Sequence, residues 1–183
     1  MEYNTWIYPQ CWEKLREVNG WFDKNEGALL FEIIKKTPQE ITIVEIGTAW
    51  GYTAALMAMT GHKVITIDNY KDLNQSPAHP ITHIQNTFLR TLPIQFIKGE
   101  SIEIAPLFIN ESIDILFIDA NHEYQSVKQD LENWLPKVKS NGIVLFHDYG
   151  SWKGVTEAVD ENIKEGKLIK QQIVFSLLHT IKT

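Results

Sequence analysis

The fold of this chain is decided by the stretch Ile43-Val44-Glu45-Ile46-Gly47-Thr48-Ala49-Trp50-Gly51-Tyr52-Thr53. It begins as an apolar run that contains the acid Glu45 near its end, and it continues into a turn with two glycines. The run has the character of a strand buried on both faces, and the glycines allow a tight connection into a helix that begins near Tyr52. A tight connection alone would also explain the turn, so the turn by itself identifies no ligand.

The composition is that of an ordinary globular protein. The 183 residues include 44% hydrophobic and 22% charged side chains, which predicts one core and a single domain over residues 1–183. The formal net charge is -6 and Lys and Arg are scattered, so we expect no nucleic-acid partner. The single cysteine, Cys11, excludes an intrachain disulfide. We see no signal peptide and no apolar run near the ~20 residues of a membrane span, so we expect a cytoplasmic protein.

Short apolar runs alternate with helical patterns along the chain. This alternation predicts an α/β fold, a Rossmann-like doubly wound sheet that is mostly parallel, has an antiparallel last strand and carries helices on both faces. Residues 1–37 form an N-terminal helical segment that could act as a lid. Asn25 and Ser101 are predicted helix caps. The predicted strands are 41–46, 63–68, 94–98, 113–118 and 143–146, followed by two strands within 168–182.

Polar side chains stand at the ends of four predicted strands. Glu45 and Asp68 end the first two strands, Asp119 ends the fourth, and the pair His147-Asp148 ends the fifth. Because parallel strands present their carboxyl ends at one edge of a sheet, where such proteins bind ligands, we expect these groups in one crevice. Four polar strand ends in a row have no stabilising purpose, so a purely structural protein is the least favoured hypothesis.

The acid before the glycine turn favours one kind of ligand. A dinucleotide fingerprint has glycine there, so that backbone amides can hold a pyrophosphate, and the Glu45 carboxylate would repel that anion. A nicotinamide-dependent oxidoreductase is therefore disfavoured, and a cationic or hydroxyl-bearing ligand is favoured. The stretch from Glu45 to Gly51 resembles the first motif of class I S-adenosylmethionine-dependent methyltransferases, whose cofactor carries a positive sulfonium.

The resemblance implies a set of cofactor-binding residues. Asp68 stands where the family's acid holds the ribose hydroxyls, although an acid at a strand end can also serve the local turn. The triplet Gly99-Glu100-Ser101 follows the third strand, where the family contacts adenine. The full set implied for S-adenosylmethionine is Glu45, Gly47, Thr48, Gly51, Asp68, Gly99, Glu100, Ser101 and Asp119.

Two later motifs are similar to one branch of this superfamily. They are Phe117-Ile118-Asp119-Ala120-Asn121-His122-Glu123-Tyr124 and Asn141-Gly142-Ile143-Val144-Leu145-Phe146-His147-Asp148-Tyr149. They look like signatures of metal-dependent sugar and macrolide O-methyltransferases and, more remotely, of catechol O-methyltransferase. The resemblance implies that His122 is the general base and that Asp119 belongs to the catalytic centre. A local hydrogen bond at the start of a helix is the alternative role for His122.

The same branch implies a metal site. Asp119, His147 and Asp148 could hold a divalent ion and leave positions open for substrate oxygens. The ion would be Mg²⁺ in the relatives, but the sugar enzymes carry an acid where this chain has His147, and imidazole tolerates Mn²⁺ or Fe²⁺ better. His147 could instead cap its strand end by hydrogen bonding, without any metal.

These residues together predict an S-adenosylmethionine-dependent methyltransferase that methylates a hydroxyl of a small molecule, such as a sugar, a polyketide or an aryl compound. The alternative is a catalytically silent protein that binds S-adenosylmethionine and acts as a binding or interaction module. Relatives often form dimers or larger assemblies, so a homodimer or larger homo-oligomer is expected. Three segments are expected to set specificity: Trp6 to Phe22, Asn69 to Pro80 and Tyr149 to Lys153.

Overall fold

One seven-stranded sheet organises the computed structural model, which describes residues 8–38, 40–71 and 80–183. The strand order is β3-β2-β1-β4-β5-β7-β6, in which the first five strands of the chain run parallel and the last two are antiparallel to their neighbours. The predicted fold class is thereby confirmed. The strands are β1 (Ile43–Ile46), β2 (Val64–Asp68), β3 (Ile94–Lys98), β4 (Ile113–Ile118), β5 (Val138–Phe146), β6 (Leu168–Val174) and β7 (Leu177–Lys182).

Helices cover both faces of this sheet, because successive side chains of a strand point to opposite faces. Ile43 of β1 packs with the helices of the first half of the chain, whereas Val44 and Ile46 pack with the later ones. Two apolar cores result, one on each face. The helices are α1 (Tyr8–Leu15), α2 (Lys24–Lys35), α3 (Tyr52–Ala58), α4 (Pro80–Asn86), α5 (Ser101–Ile104), α6 (Tyr124–Trp134) and α7 (Lys153–Lys164).

Both predicted helix caps were wrong. Asp23, rather than Asn25, caps α2: its carboxylate accepts from the Asn25 amide at 2.7 Å, and the Glu26 carboxylate accepts from the Asp23 amide at 3.1 Å, which makes a capping box. Glu100 precedes α5, and Ser101 is the first residue inside that helix. The Ser101 hydroxyl is therefore free to bond elsewhere.

Other element boundaries also differ from prediction. The connection between β2 and β3 contains α4 and a 3-10 turn at Phe88–Thr91. Strand β5 begins at Val138, ahead of the predicted strand 143–146, and its pairing with β4 is irregular where Asn141 adopts a positive φ of 62°. Among the described helices, none has the length and apolar character needed to cross a bilayer.

Candidate active site

The glycine turn lies against the ends of two neighbouring strands. Gly47 has a φ of 94°, and a Cβ at this position would lie 1.9 Å from the carbonyl oxygen of Asp119, so only glycine fits. The Asp68 carboxylate accepts from the backbone amides of Thr48 and Ala49, each at 2.9 Å. The turn after β1 is thus held by β4 on one side and by the end of β2 on the other.

Glu45 lies beneath this turn. Its side chain is fully buried and accepts hydrogen bonds from the hydroxyls of Thr53 and Thr66. Burial raises the pKa of Glu45 to about 8, although both hydroxyl hydrogen bonds act against that rise. Glu45 therefore supports the turn from below and does not reach the cavity above it.

A cavity of 690 Å³ opens at the carboxyl ends of the strands, where the sequence placed the crevice. Gly51, like Glu45, does not line it; it adopts a φ of 85° at the start of α3. Asn19, Gly20, Trp21 and Phe22 contribute to one wall. The sequence-predicted residues on the walls are Gly47, Thr48, Asp68, Gly99, Glu100, Ser101, Asp119, His122, His147 and Asp148.

The residues after β3 are engaged with their neighbours. The Glu100 carboxylate accepts from Asn69 at 3.1 Å and pairs with Lys71, and the Lys71 hydrogen bond lowers the pKa of Glu100. The Ser101 hydroxyl donates to Asp130 and accepts from the Trp134 indole at 2.7 Å. Burial raises the pKa of Asp130 to about 6. Asp130 also lines the cavity, and the sequence analysis assigned it no role in the site.

His147 is surrounded by three carboxylates. Its Nδ1 lies 3.2 Å from Oδ1 of Asp119 and 3.3 Å from Oδ2 of Asp148, and its Nε2 lies 3.3 Å from Oε2 of Glu26. Burial opposes protonation, but the three carboxylates outweigh it and raise the pKa of His147 to about 12. His147 is therefore an imidazolium whose two ring nitrogens both face carboxylates.

Glu26 is a site residue that the sequence analysis missed. Its side chain is 2% exposed, and Oε1 accepts from both the amide and the hydroxyl of Ser176 at 2.7 Å. Burial disfavours the carboxylate, but the bonds from His147 and Ser176 prevail and lower the pKa of Glu26 to about 2. The Asp23-x-x-Glu26 capping box could have been noticed locally, whereas contacts to partners more than a hundred residues away leave no local pattern.

His122 stands on the cavity wall with two fixed neighbours. Its Nε2 lies 2.9 Å from Oδ2 of Asp148, and its ring stacks on Trp152 with centroids 4.7 Å apart and planes 24° apart. Asp148 has a φ of 61°, a conformation that non-glycine residues rarely adopt and that recurs at functional sites. A Cβ on Gly154 would lie 2.3 Å from the carbonyl oxygen of His122, so the start of α7 packs directly on this loop.

Three of these side chains could hold a metal ion. Asp119, His122 and Asp148 each offer a ligand atom, and these atoms lie within 4.8 Å of one another. Two carboxylates and an imidazole suit Mg²⁺ less well than Mn²⁺ or Fe²⁺. This group differs from the predicted set, since His122 takes the place of His147, whose nitrogens already face carboxylates.

Parts of the predicted specificity segments fall outside the described residues. These parts are Trp6 and its neighbours up to residue 7, and residues 72–79 of the loop expected from Asn69 to Pro80. Phe22, at the other end of the first segment, has its ring centroid 4.9 Å from that of His147. The connection between α1 and α2 thus contacts the site. A Cβ on Gly20 would lie 2.7 Å from Cβ of Tyr52, so this connection packs closely against the start of α3.

Comparisons with known proteins agree with this architecture. A family model described as a methyltransferase domain matches residues 44–149. The uncharacterized protein R132 of Acanthamoeba polyphaga mimivirus is 32% identical over 127 residues, which cover 62% of this chain. The chain spans 54% of the length of R132 and 6% of another curated relative.

Solved structures of methyltransferases share the fold. A candidate caffeoyl-CoA O-methyltransferase from Staphylococcus aureus superposes with a TM-score of 0.71 at 21% identity, over 96% of this chain and 91% of that one. The O-methyltransferase TomG from Streptomyces achromogenes, involved in tomaymycin synthesis and solved with S-adenosylmethionine, has a TM-score of 0.68 at 14% identity, over 100% and 99% of the two chains.

Proposed function

The chain belongs to the methyltransferase domain family, and on that premise we propose that it is an S-adenosylmethionine-dependent O-methyltransferase acting on a small-molecule hydroxyl. The observation that carries the proposal is the His122–Asp148 contact on the wall of the cavity beside the glycine turn. An imidazole and the carboxylate that would orient it therefore lie beside the glycine turn, which corresponds to the turn that holds the cofactor in this family. We further propose a single domain over residues 1–183, a cytoplasmic location and a homo-oligomeric assembly.

The residues of the chain have distinct parts in this reaction. When bound, S-adenosylmethionine supplies a methyl group on a sulfonium; Asp68 and the turn it holds would position that cofactor. Because Nε2 of His122 lies 2.9 Å from Oδ2 of Asp148, Nδ1 would be the ring nitrogen left for the acceptor. As the acceptor hydroxyl is methylated, its proton would pass to Nδ1 of His122.

A divalent cation is a separate proposal for the same residues. Asp119, His122 and Asp148 would hold it, and it would supply Lewis-acid polarisation of the acceptor oxygen. His122 cannot be both a ligand through Nε2 and a base oriented by Asp148. The metal-bound and metal-free arrangements are therefore mutually exclusive.

Calorimetric titration with S-adenosylhomocysteine tests the proposed cofactor. We expect binding, and we expect Asp68→Asn to weaken it by about 10-fold or more, since a charged hydrogen-bond acceptor is lost. Asp114→Asn is the matched control. Its carboxylate also accepts a backbone amide, that of Thr42 at 2.9 Å, but near the start of β4, away from the cavity.

Absence of heat with the wild-type protein would reject the cofactor. Binding without methyl transfer to any hydroxylated acceptor would favour the silent binding protein over the enzyme. Transfer to a nitrogen or carbon acceptor alone would keep the methyltransferase and reject the O-methyl assignment.

A further inference from the structure

The cavity walls are acidic. Five carboxyl groups line the cavity, and no lysine or arginine does so in the described part of the chain. Residues 1–10, 39 and 72–79, whose side chains are not described, include neither Lys nor Arg in the sequence, so they cannot add one. The five carboxyl groups belong to Asp68, Glu100, Asp119, Asp130 and Asp148.

Two lysines near this cavity form ion pairs. Lys71 forms an ion pair with Glu100, and Lys153, next to the wall residue Trp152, lies 3.5 Å from Glu157. Both ring nitrogens of His147 already face carboxylates, those of Glu26, Asp119 and Asp148, at 3.2 to 3.3 Å. Recognition of a phosphate or carboxylate usually relies on charged donors such as Arg or Lys. Even if a metal cation neutralised the charges of Asp119 and Asp148, the described walls would offer no Lys or Arg to bind an anion.

Aromatic side chains stand at the same cavity. Trp152 is 51% exposed while it stacks on His122, and Trp21 is 79% exposed. Trp21 meets Trp50 edge to face, with centroids 5.4 Å apart and planes 74° apart. Trp21 and Trp152 are large apolar rings left exposed at the wall of one cavity, where a ligand could cover them. Tryptophan rings bind other rings by stacking, whether aryl or the apolar face of a sugar.

We propose that the acceptor is a hydroxylated ring compound without an anionic group, stacked against Trp152 beside His122, and that phosphorylated and nucleotide-linked acceptors are excluded. The Asp119 and Asp148 carboxylates beside His122 disfavour an anionic group on the acceptor, and the exposed indole of Trp152 favours a ring. This proposal rests on the proposed function for the location of the acceptor, because His122 marks where the hydroxyl must lie.

The test uses two probes that differ by one phosphate group. Phenyl β-glucoside carries an aryl ring, a sugar ring and hydroxyls, and phenyl β-glucoside 6-phosphate adds one phosphate. Calorimetry on protein saturated with S-adenosylhomocysteine should show the uncharged probe binding at least 10-fold more tightly than its phosphate. Equal or tighter binding of the phosphate, or no binding of either probe, would overturn the proposal.

Two variants test where the ring of the uncharged probe binds. Trp152→Ala should weaken binding of the uncharged probe by about 10-fold, which is the range seen for stacked rings. Ile109→Ala, which removes a side chain that is 79% exposed and does not line the cavity, should leave binding unchanged. An unchanged affinity in Trp152→Ala would reject the stacking site. If S-adenosylhomocysteine itself does not bind, the proposed function fails, and the same probe pair on the unloaded protein still decides the charge preference.

Discussion

Nε2 of His122 lies 2.9 Å from Oδ2 of Asp148. His122 follows β4 and Asp148 follows β5, so this contact joins the ends of two adjacent parallel strands. Asp148 also approaches His147 at 3.3 Å. One carboxylate therefore contacts two histidines of the cavity wall, His122, which is partly exposed, and His147, which is buried.

Substitution of His122 tests its role as the base. We expect His122→Gln to lower kcat by about 100-fold or more, in the range of lost general-base catalysis, while the Kd for S-adenosylhomocysteine changes less than about 2-fold. Asp148→Asn should also lower kcat, because His122 loses its orienting charge. Steady-state kinetics with calorimetry measure both. An unchanged kcat in His122→Gln would show that another group removes the proton.

Titration with Mn²⁺ tests the metal arrangement. If Asp119, His122 and Asp148 hold the ion, calorimetry should show one site that Asp119→Asn weakens by at least about 10-fold, because one of three protein ligands is lost. Glu103→Gln, which changes an exposed acid in the short helix α5, is the control. Activity that survives exhaustive chelation would exclude a catalytic metal and leave His122 as the base.

The sequence predicted the sheet and the position of the site because both depend on local signals. Apolar runs and glycine turns mark strands and connections, and strand ends such as Asp68 and Asp119 meet at one edge. The details of the site depend on contacts that local patterns do not encode. The hydroxyls of Thr53 and Thr66 bind the Glu45 side chain beneath the glycine turn and keep it out of the cavity. Glu26 meets His147 only because the fold brings α2 to the residue that follows β5, and that contact diverts His147 from a ligand role.

Substitution of Glu26 tests the buried charge cluster. Glu26→Gln should lower the free energy of unfolding by about 3 kcal/mol at pH 7, because it leaves the buried His147 cation short of a counter-charge. Glu32→Gln is the control on the same helix; its partner Lys36 is exposed, and the change should stay within about 0.5 kcal/mol. Urea unfolding measures both.

The stability difference between wild type and Glu26→Gln should also depend on pH. Because the pKa of Glu26 is lowered to about 2 in the folded state, from an ordinary value of 4.5, its contribution is present above pH 4.5 and is lost as the pH falls toward 2. The difference between wild type and Glu26→Gln should shrink over that interval. A constant difference would mean that the carboxylate charge is not what stabilises the fold.

The ionisation of Glu45 should change the stability with pH in the opposite direction. Its folded pKa is raised to about 8 from an ordinary value of 4.5, so between these pH values the folded protein keeps a proton that the unfolded chain releases. The stability of the wild type relative to Glu45→Gln should therefore fall as pH rises, by up to about 1.4 kcal/mol per pH unit, and level off above pH 8. Urea unfolding of both proteins without cofactor at several pH values checks this. A relative stability independent of pH would show that Glu45 is ionised throughout.

Gly154→Ala tests the packing of α7 on the His122 loop. A methyl group here would meet the His122 carbonyl oxygen at 2.3 Å and the Tyr124 amide at 2.5 Å, so the loop must shift. We expect a loss of about 1–3 kcal/mol in stability and a lower kcat. Gly166→Ala is the control; its φ is 73° but no atom lies within 4 Å of the added methyl group, so only backbone strain of about 1–2 kcal/mol and no kinetic effect should follow. A full kcat in Gly154→Ala would show that the loop position is not critical.

The bond from Ser176 to Glu26 has a consequence for biosynthesis. A growing chain makes β1 to β5 and the glycine turn long before Ser176, which lies in the turn between β6 and β7, leaves the ribosome. Until then Oε1 of Glu26 lacks both of its Ser176 donors, and the carboxylate that faces His147 is not yet fixed. The nascent protein can therefore assemble most of its sheet early, but its charge cluster closes only when the last hairpin has been translated.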